Sequence, residues 1–220
     1  MDKDQMAVAD RFKARYKSGD TPWDVGEPDF NLIEITRRHV IERGKALDVG
    51  CGTGDNSIWL ARNQFQTAGV DVSDIAIEKA REKAASAGVE CEFICADFMK
   101  DGMGSKGFAF LFDRGCFHAF RSGEQRRRFA SRVADHLEKD GLWLTLTGNA
   151  DENRQEPGPP QLTAEEIVRA PEPYFEIISL ESSHFESRRP YSPRAWRCLM
   201  RKRRLEMSDE KPESGQGNQA

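Results

Sequence analysis

The sequence predicts an open α/β fold: a seven-stranded, mostly parallel sheet with helices on both faces and a C-terminal antiparallel strand. Three observations carry this. Strand and helix patterns alternate from Lys45 onward. A glycine-rich turn, GCGTG, joins the first strand of that series to the helix after it. The last two strand patterns, FEIISLESSHFES and AWRCLMRKR, have no helix between them, so they are antiparallel neighbours.

The chain has 220 residues, which suits one domain with an appendage. Residues 4–17 carry Ala9, Phe12 and Tyr16 at helical spacing. A turn-rich linker, SGDTPWDVGEPDF, follows. Residues 31–43 read as a helix ended by Gly44. KALDVG is the first strand and residues 53–63 a helix. QTAGVDV is the second strand, and residues 74–87 form a helix with Ala76, Ala80 and Ala84 on one face. ECEFICADF is the third strand and FAFLFD the fourth. Residues 122–137 are a helix that turns Phe129, Val133 and Leu137 inward, and GLWLTLTG is the fifth strand. Thr163 and Glu166 form a capping box that opens a short helix.

The net charge is −4, and the tail LEMSDEKPESGQGNQA holds four acids against one lysine. The remainder is nearly neutral, which argues against a nucleic-acid partner. The runs RRR (residues 126–128) and RKRR (residues 201–204) read as solvated faces. No window approaches the ~20 apolar residues of a bilayer span, and the N-terminus lacks the apolar centre of a secretory signal. The five cysteines form no C-x-x-C pair, so neither a disulfide framework nor a zinc site is expected. No metal is expected either. A cytoplasmic setting is the simplest reading.

The candidate site residues fall at strand ends, where open α/β sheets bind ligands. In ALDVGCGTGDNS, the loop after Asp48 and Val49 has Gly50, Cys51, Gly52 and Gly54. A dinucleotide loop places glycine where this chain has Asp55, and an acid there repels a pyrophosphate. The loop suits a nucleoside without phosphates. Asp71, followed by Val72, ends the second strand and can accept from ribose hydroxyls. Asp97 ends the third and can accept from an exocyclic amine, with Phe98 flanking a base.

ALDVGCGTG, GVDVS and ADF resemble the cofactor motifs of class I S-adenosylmethionine-dependent methyltransferases over residues 45–148. YKSGDTPWDVGEP, with DRG at the fourth strand and the late stretch GPPQLTAEEI, resembles the thiopurine and thiol/halide methyltransferase branch. The resemblance implies a Rossmann-like methyltransferase fold and S-adenosyl-L-methionine as cofactor. It implies contacts from Asp48, Gly50, Cys51, Gly52, Asp71, Val72, Asp97, Phe98 and Asp113. It also implies that an N-terminal aromatic helix and the Pro-Trp-Asp segment fold over the cofactor. Trp23 matches that segment directly. Phe12 and Tyr16 stand where that branch often has two tryptophans. Residues 1–30 thus read as helix and lid, 31–204 as the methyltransferase domain, and 205–220 as a disordered tail.

The fourth strand ends FDRGCFHAF, without the Asn/Asp-Pro-Pro that holds a planar amine in related enzymes. A soft or acidic acceptor is expected: a thiol, thiopurine or halide. The alternatives are O-methylation of a phenol or hydroxylated heterocycle, and a non-catalytic cofactor-binding module. Arg114 either organises the site and its anions or pairs with Asp113. His118 is either a base for a neutral acceptor or a buried structural histidine. Both are carried as catalytic candidates. A monomer or weak dimer acting on a small molecule, with no membrane partner, is expected.

Overall fold

The computed structural model describes residues 3–101, 106–154 and 158–204, with side chains from residue 9 onward. The tail expected to be disordered lies outside the described residues. Helix α1 spans Lys3–Ser18 and α2 spans Phe30–Arg38. Three strands alternating with two helices follow in order: β1 (Lys45–Val49), α3 (Asp55–Arg62), β2 (Gln66–Asp71), α4 (Asp74–Ala87) and β3 (Glu92–Cys95). Then come β4 (Phe108–Arg114), a 3-10 turn at Phe117–Ala119, α5 (Gly123–His136) and β5 (Leu137–Asn149). The chain continues through β6 (Gln161–Leu162), α6 (Ala164–Arg169), β7 (Phe175–His184) and β8 (Arg194–Lys202).

One sheet holds all of these strands, in the order β3-β2-β1-β4-β5-β8-β7, with β6 paired to β5. It has eight strands, because the two-residue β6 adds one to the seven expected. β8 runs antiparallel to both β5 and β7, and the other pairings are parallel. β7 therefore points the same way as β1, and its C-terminal end joins theirs.

Period-2 alternation divides the core between the two faces. Phe110, Phe112, Leu144 and Leu146 face α2, where Leu32 and Ile35 are fully buried. Leu111 and Trp143 face Phe129, Ala130 and Val133 of α5 and Ile167 of α6. Ala76, Ala80 and Ala84 let α4 approach closely, and Ser73 caps it by accepting from the Ala76 N–H. The expected capping box of Thr163 with Glu166 forms, and the structure adds another at the start of α5, Ser122 with Gln125.

Two expectations are corrected. α2 stops at Arg38 rather than residue 43. His39 closes it in an extended conformation, Val40 is 98% exposed, and Ile41 turns back into the core. Arg126 is not a solvated surface cation. It is 6% exposed, pairs with Glu166 at 3.0 Å and donates to the carbonyls of Phe120 and Arg121. Arg201, Arg203 and Arg204 pair with Glu176, Glu172 and Asp140. No helix among the described residues is long and apolar enough to cross a membrane.

Candidate active site

A cavity of about 400 Å³ opens at the carboxyl ends of the parallel strands. Its floor begins at Gly50. The Gly50 and Cys51 N–H groups both donate to the Val70 carbonyl, which folds the loop tightly over β2. Gly50 has φ +70°, and a Cβ there would lie 2.2 Å from Cys116 Sγ, so this position requires glycine.

Asp71, Val72, Asp97 and Phe98 line one half of the cavity. Asp71 Oδ2 accepts from the Gly52 N–H at 3.0 Å, and Oδ1 accepts from the Ser73 N–H at 2.9 Å. Each carboxylate oxygen keeps a second lone-pair site for a ligand hydroxyl. Burial raises the Asp71 carboxyl above its ordinary value, and those backbone donors oppose the rise. Asp97 caps the turn after β3 through the Met99 N–H at 2.9 Å and pairs with Lys100 at 2.7 Å. The Phe98 ring packs inward against Phe129 and His136.

Asp48 and Asp113, expected among the cofactor contacts, lie beneath the floor and do not line the cavity. Asp48 accepts from the Ser57 hydroxyl at 2.7 Å, and burial pushes its carboxyl up to about 7. Asp113 is fully buried. Its Oδ1 accepts from the Cys116 and Phe117 N–H groups, and its Oδ2 accepts from Trp143 Nε1 at 2.8 Å. Burial lifts it to about 6. Asp113 thus shapes the turn after β4 and makes no pair with Arg114.

The roof comes from both ends of the chain. Phe12, Tyr16 and Trp23 line the cavity. The Trp23 ring meets Phe12 edge-on at 5.4 Å, lies under the Arg15 guanidinium and donates from Nε1 to Tyr16 Oη at 3.2 Å. Burial, and after it the Asp71 charge, keeps the Tyr16 phenol protonated. Asp24 accepts from the Thr53 hydroxyl at 2.8 Å, which ties the linker to the glycine loop. Cys51 and Gly52 line a recess of about 60 Å³ that shares Tyr16, Trp23, Gly50 and Arg114 with the main cavity.

Arg114 is the latch of this roof. Its Nε lies 2.5 Å from Asp29 Oδ2, NH2 donates to the Glu186 carbonyl at 2.7 Å, and NH1 reaches the Trp23 carbonyl at 3.4 Å. The guanidinium also sits over the Phe185 ring. The Arg188 N–H donates to the Pro22 carbonyl at 2.9 Å, joining the same two segments directly.

His118 lines the cavity and is 8% exposed. Its Nδ1 accepts from the Gly148 N–H at 2.9 Å. Burial, and then the charge of Arg114, hold the imidazole down at about 3. The ring is therefore neutral, and its free lone pair is already used. That is not the arrangement of a general base.

Sequence reasoning missed the segment from Phe185 to Pro193, which contributes Glu186, Ser187, Arg189 and Tyr191 to the cavity wall. The signal was present: β7 ends at the same edge as β1, so its connection to β8 falls at the site. Met99, Ala119 and Phe120 were missed too.

The floor fits a nucleoside cofactor carrying no phosphate. Two acids stand at successive strand ends. The first turn of α3 holds Asp55, which Lys83 engages at 2.8 Å. Residues 46–141 match a family model described as a methyltransferase domain. The chain is 30% identical over 169 residues to a probable thiol methyltransferase 2 of Arabidopsis thaliana, covering 75% of this chain and 73% of that protein. It is 29% identical over 133 residues to thiocyanate methyltransferase 1 of Brassica oleracea, covering 60% of this chain and 58% of that one. Among solved structures it resembles one from a study of the conversion of a disulfide bond into a thioacetal group during echinomycin biosynthesis. That likeness has a TM-score of 0.78 at 22% identity and covers 89% of this chain and 91% of the other. It also resembles magnesium protoporphyrin IX methyltransferase of Synechocystis with bound S-adenosylmethionine, at TM-score 0.61 and 16% identity, over 78% and 76% of the two chains.

Proposed function

Since the chain belongs to the class I S-adenosylmethionine-dependent methyltransferases, we propose that it methylates a small-molecule nucleophile with a soft or acidic heteroatom. A thiol, a thiopurine, thiocyanate or a halide fits this description. The cofactor, S-adenosylmethionine, supplies a methyl group on a sulfonium sulfur when bound.

One observation carries the reading: the charge of the acceptor half. The sheet order places Asp71 and Asp97 on the β2–β3 side. The other side is built from β4 and the connections after β5 and β7. There Arg114, paired with Asp29, and Arg189 line the cavity, with Arg11 and Arg15 facing them from the N-terminal helix, Arg15 paired with Asp20. Glu186 is the carboxylate on the wall itself, so the cations still outnumber the acids. Such a wall attracts an anion and disfavours a cationic amine.

The chain's own part is alignment and exclusion of water. Asp71 and Asp97 hold the nucleoside by accepting hydrogen bonds. Trp23 offers an aromatic face to a cation. Arg114 keeps the linker and the Phe185–Pro193 segment closed over both halves. The test is turnover of cofactor to its demethylated product with thiols, thiocyanate, halides, phenols and amines as acceptors. Anionic or readily ionised acceptors should dominate kcat/KM. Activity restricted to amines or to macromolecules would overturn the proposal.

A further inference from the structure

The hydrogen bonding of His118 assigns its protons. The Gly148 N–H has no lone pair, so Nδ1, 2.9 Å away, must present its own. The ring proton then sits on Nε2. The ring cannot turn over freely. A half-turn would set a carbon against the Gly148 N–H and strand that buried donor. Phe185 meets the imidazole edge-on at 6.0 Å. A Cβ on Gly115 would lie 2.9 Å from Nε2 and 3.1 Å from Cε1, and Gly115 has φ +92°. Glycine is what leaves room for the ring. Nε2 makes no hydrogen bond among the described residues and is not sealed from the cavity that the ring lines.

The charges around the ring agree. Arg114 of β4, Arg154 from the connection after β5 and Arg11 of α1 each disfavour a second proton on it. Arg114 is held by Asp29 and Arg154 by Glu152, while Arg11 lies over the Phe12 ring. The result is a neutral, oriented N–H beside three cations, two of them already paired with carboxylates.

We propose that His118 Nε2–H is a fixed donor that holds an anionic acceptor, so the acceptor enters already ionised and no residue takes its proton. This rests on the small-nucleophile reading above. The chemistry balances without a base. A lone pair on the acceptor forms the new bond to the methyl carbon, and the carbon–sulfur bond of the sulfonium breaks with its electron pair left on sulfur. The negative and positive charges cancel.

Nitrogen-15 NMR of the histidine side chains in the ligand-free protein tests the assignment without turnover. His118 should show protonated Nε2 and bare Nδ1, with no titration between about pH 5 and 8. A ring titrating in that window, or one protonated at Nδ1, overturns the proposal. Two variants separate the role from folding. His118→Asn keeps an oxygen for the Gly148 N–H and loses the donor. His118→Gln carries a donor out to the Nε2 position and abandons Gly148. With thiocyanate as acceptor, His118→Asn should melt like wild type yet lose about 10- to 100-fold in kcat/KM, the range for a hydrogen bond to a charged group. His118→Gln should melt lower and keep more of the activity. Wild-type kcat/KM in His118→Asn, with thiocyanate still a substrate, overturns the histidine's role and leaves the acceptor class standing. A wild-type enzyme that methylates no anion at all overturns both.

Discussion

Replacing Arg114 by alanine removes the positive half of a buried ion pair and leaves the other half behind. The Asp29 side chain is 1% exposed and that of Arg114 13%. In the variant, Asp29 Oδ1 keeps its two donors on Asn31. Oδ2 instead faces the space the guanidinium filled. The Trp23 and Glu186 carbonyls each lose a donor as well. Breaking a buried pair from one side costs about 3–5 kcal/mol, and the surviving Asn31 bonds place this case near about 3 kcal/mol. In a domain of this size each kcal/mol moves Tm by about 2–4 °C, so calorimetry at pH 7 should show a fall of about 6–12 °C. Asp29→Asn removes the stranded charge. The Asp29→Asn/Arg114→Ala double variant should therefore lose less than the sum of the single variants, by about 1–3 kcal/mol. Strictly additive losses, or an Arg114→Ala melt within about 2 °C of wild type, would refute the buried latch.

Asp71→Ala should weaken S-adenosylmethionine binding by about 1.5–3 kcal/mol, because charge-assisted bonds to the ribose are lost; titration calorimetry on the folded variant measures it, and unchanged affinity removes Asp71 from the site. Asp48 gives a pH signature. Its folded value of about 7 lies above the ordinary carboxylate value. Its contribution to stability is thus present below about pH 4 and lost as pH rises through about 7. Asp48→Asn lacks that slope, so its Tm relative to wild type should climb between about pH 5 and 8 in a melting series; a flat or falling difference rules the assignment out. Deleting residues 1–24 should leave a folded sheet, by circular dichroism, with little turnover, since the roof and not the core is lost. Full turnover by the truncated chain would show that the roof is dispensable.

The glycine loop, Asp71 and Asp97 were legible because each is a local pattern, a strand followed at once by a residue type that only a strand end needs. What lay beneath the floor was harder. Asp48 and Asp113 are also acids at strand ends, but side chains alternate along a strand, and these two turn to Ser57 and Trp143 instead of to the cavity. Arg126 shows a signal that was present and overlooked. It stands three, four and seven positions before Phe129, Ala130 and Val133, which places it on the buried face of α5. Two-residue β6 is too short for any periodicity to announce it. The end of α2 turned on β-branched Val40 and Ile41, whose preference for extended backbone outweighed the pattern that Gly44 was expected to close.

The bond between the Pro22 carbonyl and the Arg188 N–H, beside the three bonds of Arg114, makes the two halves of the cavity share one cover. Whichever ligand orders that cover first leaves less conformational entropy to be lost when the second arrives. The coupling is reciprocal: the factor by which cofactor tightens acceptor equals the factor by which acceptor tightens cofactor. On the function proposed above, the demethylated cofactor would occupy the same half as its parent, so a fresh acceptor that binds before it leaves would hold it in place. The kinetic mark of such a cover is a rate that rises with acceptor, passes a maximum and then declines as the dead-end complex fills.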